Sequence, residues 1–141
     1  MKEREDQIHR RMIGMLGKIK KTLKKLKGKR YLYARYYKKS KVVKNRILFE
    51  SFHGQSISDS SYFMLLALMQ REECSQYEIF YASSKSKLAE HEQFVAEHHL
   101  PVKLVTIESI KYLKILATAE YLFNNNSFPA WYIRKDEQKY L

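Results

Sequence analysis

Four short apolar runs, each followed by a segment of about helical length, constrain the fold of this chain more than any other feature. The runs lie at residues 47–49, 77–82, 102–106 and 121–123. Each is too short for a helix and is bounded by polar or turn-forming residues, so we predict buried strands. Strands that alternate with helices form a parallel sheet through right-handed crossovers. The sequence therefore predicts an α/β fold with a Rossmann-like parallel sheet, and a fifth strand begins near residues 139–141.

The segments between these strands carry helix signals. Asp59 or Ser60 is placed to cap a helix that follows the first strand, and Ser109 is placed to cap one that follows the third. The intervening helix, near residues 86–99, is expected to bury Leu88, Phe94 and Val95. All loops that follow strands then lie on one edge of the sheet, where open α/β sheets bind ligands.

Polar side chains are concentrated in the loops predicted at that edge. In the usual strand order the first and fourth strands are neighbours, so the loop after the first strand should meet the asparagines after the fourth. Such a crevice suits a polyol or a phosphate. The candidate contact residues are His53, Gly54, Ser56, Ser58, Asp59, Asn124, Asn125 and Asn126.

Each of these side chains also has a purely structural interpretation. His53 could donate to a phosphate or act as a base, or could bond only within its own loop. Asp59 is expected mainly as a helix cap, although the helix start near it would offer backbone N–H groups to an anion. Three consecutive asparagines can simply form turns. The sequence contains no glycine-rich phosphate loop, and His91 lacks the second histidine of a zinc-protease helix, so we predict no metal site.

The first 46 residues differ sharply in charge from the rest. They hold 18 Lys/Arg against 3 Asp/Glu, a net charge of +15, whereas residues 47–141 hold 9 against 12, a net charge of −3. Between residues 5 and 40, apolar side chains recur every three or four positions, which is the period of one helix face. We therefore divide the chain into a basic amphipathic arm, residues 1–44, and an α/β domain, residues 45–141.

Tyrosines alternate with cations toward the end of this arm, a mixture typical of a membrane interface. A basic amphipathic helix followed by such a patch favours an anionic membrane surface as its partner. The residues expected to make this contact are Lys18, Lys20, Lys21, Lys24, Lys25, Lys27, Arg30, Tyr33, Tyr36 and Tyr37.

Other interpretations of the arm remain open. Its charges could form a solvated face, and its apolar stripe could pack on a partner helix or on the chain's own core. Lysines interleaved with tyrosines also suit nucleic acid, but a nucleic-acid arm needs no apolar stripe, so we expect no nucleic acid. The alternative function is a non-enzymatic α/β binding module whose arm binds nucleic acid or a protein partner.

Two segments resemble the N-terminal half of the CDP-glycerol glycerophosphotransferases of teichoic acid synthesis. They are residues 49–60, FESFHGQSISDS, and residues 121–129, YLFNNNSFP. The resemblance extends from about residue 45 to residue 141. It implies a two-domain, glycosyltransferase-B-like enzyme, peripheral on the cytoplasmic face of the cell membrane. Such an enzyme moves glycerol phosphate from CDP-glycerol to a lipid-linked polyol-phosphate acceptor.

The resemblance also implies which part of the enzyme this chain represents. In that family the first Rossmann-like domain is associated with acceptor binding and the second with the CDP-linked donor. The chain contains neither the donor domain nor the family's His-Gly-Thr-Pro stretch. We therefore expect a truncated, acceptor-side domain that lacks its C-terminal donor domain, holds no catalytic residue, binds no cofactor and is inactive alone.

Overall fold

The computed structural model describes residues 1–141 and contains two compact units, residues 1–32 and 33–141. One long helix, α1, spans Lys2–Lys39, close to the predicted residues 5–40. Most apolar side chains of the first unit recur on one helix face and are about half exposed, from Leu26 at 47% to Met15 at 62%. No helix of the protein combines the length and the apolar content required to cross a bilayer.

The second unit contains the predicted α/β fold. Its strands are β1 (Val43–Glu50), β2 (Glu78–Ser83), β3 (Lys103–Thr106), β4 (Ala119–Asn124) and β5 (Lys139–Tyr140). All pairs are parallel, in the order β3-β2-β1-β4-β5. The helices are α2 (Asp59–Met69), α3 (Leu88–Glu97) and α4 (Ile110–Thr118). The predicted fifth strand is confirmed, because β5 pairs with β4 through Tyr121 and Leu122.

Alternation along β1 divides the core into two layers. Ile47 and Phe49 face one side, where they pack with Leu65 of α2 and with side chains of α3 such as Phe94. Leu48 and Glu50 face the other side, where Tyr112 of α4 contacts the Glu50 carboxyl group. The central strand is therefore covered on both faces, as expected for a parallel sheet.

The end of α1 packs within the α/β unit. Tyr33 is only 2% exposed, and its ring lies 5.0 Å from that of Trp131 and 5.9 Å from that of Tyr132. Its hydroxyl donates a hydrogen bond of 2.9 Å to the carbonyl of Ile133. The compact unit consequently begins at Tyr33, before the boundary predicted at residue 45.

Candidate functional site

The candidate site lies at the carboxyl edge of β1 and β4, the two central neighbours. β1 ends at Glu50 and β4 ends at Asn124, and these two residues are register partners. The loop after β1 turns sharply, since Phe52, His53 and Asp59 all have left-handed backbone angles, with φ of 47°, 54° and 60°. Non-glycine residues with left-handed backbone angles are uncommon, and this strained conformation persists only where surrounding contacts stabilise it.

The asparagine loop meets the first loop as predicted. Asn126 Nδ2 lies 3.0 Å from His53 Nε2. Asn125 bridges two positions, because its Oδ1 accepts from the backbone N–H of Phe52 at 2.9 Å and its Nδ2 donates to Asp59 Oδ2 at 2.8 Å. The structure therefore brings four predicted residues together: His53, Asp59, Asn125 and Asn126.

The contact with Asn126 defines the tautomer of His53. An amide nitrogen only donates, so His53 Nε2 must accept and the ring proton of the neutral imidazole lies on Nδ1. His53 Nδ1 lies 4.0 Å from Glu50 Oε1. The His53 side chain is 59% exposed, whereas the Glu50 side chain is only 2% exposed. Both ring nitrogens of His53 thus have polar neighbours, while the ring itself faces solvent.

The predicted capping role of Asp59 is wrong. Ser58 occupies the N-cap position of α2, and its side chain makes no capping hydrogen bond. The carboxylate of Asp59 is instead held by Asn125 across the crevice. Ser109 does cap α4, because its Oγ accepts from the backbone N–H of Tyr112 at 3.1 Å.

Gly54, Ser56 and Ser58 make no bond in the His53–Asn126 contact. Gly54 is buried with φ of +80°, and a Cβ there would stand 2.7 Å from the backbone nitrogen of Ser84. Ser56 Oγ and Ser58 Oγ bond one another at 2.7 Å. Ser56 also lines a cavity of about 310 Å³ next to α3. The absence of a side chain at Gly54 therefore allows the two loops to approach closely. The predicted contact of Gly54, Ser56 and Ser58 with an acceptor stays a prediction.

A buried carboxyl group below His53 was not predicted. Glu50 is 1% exposed, and its Oε2 accepts a hydrogen bond of 2.7 Å from the hydroxyl of Tyr112. Burial raises the pKa of Glu50 to about 7, although the Tyr112 bond opposes this rise. A glutamate at the end of an otherwise apolar strand was the available signal in the sequence.

Asn124 has one polar atom without a partner. Its Oδ1 accepts from the backbone N–H of Asn126 at 2.9 Å. Its Nδ2 is buried and makes no hydrogen bond. Because Asn124 is the register partner of Glu50, both side chains project from the same face of the sheet.

A second buried polar pair supports the first loop from the side of α3. His91 is 4% exposed, and its Nδ1 lies 2.7 Å from Ser83 Oγ at the end of β2. Burial lowers the pKa of His91, which favours the neutral ring. The predicted apolar positions of α3 (Leu88, Phe94 and Val95) are only partly buried, so His91 is its one buried side chain.

The predicted membrane-binding residues fall into three groups by burial. Tyr33 cannot contact a membrane in this conformation, because aromatic packing buries it. Tyr36 and Tyr37 are partly buried, beneath the ammonium groups of Lys114 and Lys135 at 5.4 and 5.2 Å from the ring centres. The remaining seven are exposed: Lys18, Lys20, Lys21, Lys24, Lys25, Lys27 and Arg30.

The protein contains no group of three or more His, Cys, Asp or Glu side chains arranged to hold a metal ion. The polar groups at the carboxyl edge are amides, an imidazole and two carboxylates. This set can donate to a phosphate from His53 and Asn126 and can accept from hydroxyl groups through Glu50 and Asp59.

Solved structures with a similar fold belong to the wall teichoic acid polymerase TagF. A histidine-to-asparagine variant soaked with CDPG for 30 minutes matches with a TM-score of 0.63 at 20% identity, over 89% of this chain and 31% of its own. TagF without a stated substitution gives a TM-score of 0.61 at 20% identity, over 89% and 30%. At this identity the likeness shows the fold, and the chain spans just under a third of the length of these structures.

No curated protein matches the chain. The family described as CDP-glycerol:poly(glycerophosphate) glycerophosphotransferase matches residues 31–141, which include the whole sheet and both loops of the candidate site. This match covers most of the sequence and includes the whole α/β unit, residues 33–141. The chain therefore belongs to the CDP-glycerol:poly(glycerophosphate) glycerophosphotransferase family.

Proposed function

We propose that this chain is the N-terminal, acceptor-side part of a transferase that moves glycerol phosphate from CDP-glycerol to a lipid-linked polyol-phosphate acceptor at the cytoplasmic membrane face. The observation that carries the proposal is the family match over residues 31–141, together with the polar crevice where the two matching loops meet. In the full enzyme an acceptor hydroxyl attacks the β-phosphorus of the donor and CMP leaves. Orientation of the acceptor and stabilisation of charge would then supply most of the rate.

The role assigned to this chain is to hold the acceptor. His53 and Asn126 meet at an exposed position. Once their mutual contact opens, Asn126 can donate to a phosphate oxygen through Nδ2, and His53 can donate through whichever ring nitrogen carries its proton. Asp59 and Asn125 form the next pair along the crevice. The start of α2 lies at Asp59, so its backbone N–H groups add a partial positive charge to this side.

The test of this proposal is a comparison of two proteins. One is the 141-residue chain, and the other is a protein extended through a donor domain. We expect the extended protein to transfer glycerol phosphate from CDP-glycerol to a polyol-phosphate acceptor, whereas the 141-residue chain does not. His53→Ala in the extended protein should raise KM for the acceptor more than KM for CDP-glycerol. Transfer by the short chain alone would contradict the proposed division of labour.

The membrane part of the proposal depends on α1. Its half-exposed apolar side chains, including Met12, Leu16, Ile19 and Leu23, form a stripe ~100° wide on a regular helix. Six exposed lysines between residues 18 and 27 lie outside this stripe. A helix with this distribution binds anionic bilayers by burying the stripe and placing its cations at the headgroups.

Vesicle cosedimentation with RNA as competitor tests this part. Each lysine near an anionic surface contributes about 1 kcal/mol, or about fivefold in affinity, so Lys20→Gln with Lys24→Gln should weaken binding by roughly 25-fold. A matched control replaces Lys85 and Lys87 of the α/β unit. RNA binding without vesicle binding would instead favour the nucleic-acid module.

A further inference from the structure

One buried hydrogen-bonding atom without a partner, Asn124 Nδ2, belongs to the register partner of Glu50 at the crevice. Glu50 Oε2 accepts a hydrogen bond from Tyr112, and His53 Nδ1 lies 4.0 Å from Oε1. Asn124 Nδ2 is buried and makes no hydrogen bond. A buried donor without a partner costs about 1–3 kcal/mol, so Asn124 Nδ2 requires an explanation.

The geometry defines which group would satisfy Asn124 Nδ2 and also bond to Glu50 Oε1. Glu50 and Asn124 are register partners on neighbouring strands, so their side chains leave the same face of the sheet at the same height. An acceptor and a donor that do not bond to each other can both be satisfied by a group that donates to one and accepts from the other. Hydroxyl groups of alcohols and water have this property, whereas a phosphate oxygen, which lacks a proton at neutral pH, cannot donate to a carboxylate.

The position of these atoms favours a ligand. They lie at the carboxyl edge of the central strands, where parallel sheets bind ligands. Directly above Glu50 is His53, whose side chain is 59% exposed and whose polar partner at Nε2 is the single amide of Asn126. Rotation of this imidazole would open the buried carboxyl group to the crevice.

We propose that the position between Glu50 and Asn124 binds one hydroxyl group of a polyol phosphate, which donates to Glu50 Oε1 and accepts from Asn124 Nδ2. This inference rests on the proposed function, because it names the part of the acceptor that the crevice recognises. The phosphate of the same ligand lies on the exposed side, at His53 and Asn126. Glu50 is then a binding residue for the polyol and Tyr112 positions its carboxylate.

The experiment uses the 141-residue chain at pH 8, where the Glu50 carboxylate is mostly ionised. Glycerol 3-phosphate is titrated while the side-chain amide resonance of Asn124 is followed by NMR. We expect this resonance to shift until the site is saturated. Glu50→Gln should weaken binding about tenfold or more, because the glutamine places an amide donor where the ligand hydroxyl needs an acceptor. Glu78→Gln, at the opposite end of the neighbouring strand, should leave the affinity unchanged.

Three comparison arms separate the sources of any signal. Inorganic phosphate should perturb His53 and Asn126 without shifting the Asn124 side-chain amide. A propanediol phosphate that lacks the middle hydroxyl should bind like inorganic phosphate if that hydroxyl is the one recognised, and like glycerol 3-phosphate if the terminal one is. Asn124→Asp keeps the Oδ1 acceptor but removes the donor, so it should weaken glycerol 3-phosphate binding even if Glu50→Gln fails to fold.

The outcomes distinguish this inference from the proposed function. If glycerol 3-phosphate binds but Glu50→Gln and Asn124→Asp bind it as tightly as the unchanged chain, a water fills the position and the inference is overturned. The acceptor role of the crevice would survive that result. If the chain shows no binding of glycerol 3-phosphate, the inference is also overturned, and the transfer assay on the extended protein then decides the proposed function by itself.

Discussion

Replacement of Glu50 by glutamine should change how the stability of the α/β unit depends on pH. The carboxyl group is 1% exposed and has one hydrogen bond, from Tyr112. Burial disfavours its charged form and raises its pKa from 4.5 to about 7. Glutamine keeps the shape and an oxygen acceptor for Tyr112 but carries no charge at any pH.

The sign and size of the effect follow from these two pKa values. Between pH 4.5 and 7 the folded chain holds the Glu50 proton more tightly than the unfolded chain, so stability falls as pH rises. The contribution is fully present below pH 4.5 and is lost as pH passes through about 7. A difference of about 2.5 between the pKa values corresponds to about 3 kcal/mol in total. Between pH 5 and pH 8 we expect about 2.5 kcal/mol of this loss.

The assay is urea unfolding of both proteins at pH 5, 6, 7 and 8, followed by the fluorescence of Trp131, which packs against Tyr33 within the α/β unit. The difference in free energy of unfolding, that of the Glu50→Gln variant minus that of the unchanged chain, should rise by roughly 2 to 3 kcal/mol from pH 5 to pH 8. Taking the difference cancels other titrating groups such as His91. If the free energies of unfolding of the two proteins change with pH in the same way, the account of a buried, ionisable Glu50 is refuted. Glu78→Gln is the matched control.

Three further substitutions test the packing around the site. Tyr33→Ala should lower the free energy of unfolding of the α/β unit by about 3 kcal/mol or more, whereas Tyr31→Ala, at a side chain 69% exposed, should change it little. Gly54→Ala should destabilise the unit by more than about 1 kcal/mol, while Gly14→Ala, with open space around it, should raise the helicity of α1 in circular dichroism. His91→Ala should cost roughly 2 kcal/mol in urea unfolding, and no loss would contradict its role as a buried link to β2.

Much of the fold was predictable because it depends on local patterns. The spacing of apolar residues identified α1 and the first four strands. The alternation of strands with helices along the chain predicted that the strands are parallel. The contact between His53 and Asn126 followed from that order, since neighbouring parallel strands place their following loops together. Exact contacts did not follow, because the choice of partner for Asp59 depends on a loop geometry with several left-handed residues.

The sequence by itself determined the secondary structure, the charge division and the family resemblance, since all three are properties of residues near one another in the chain or of continuous motifs. Only the tertiary structure decided which polar groups are buried. Glu50, Asn124 and Tyr112 are separated by tens of residues, and their burial results from two strands in register beneath one helix. Tyr33 likewise changed from a predicted membrane contact to a core residue, because its environment is formed by Trp131 and Tyr132 from the other end of the chain.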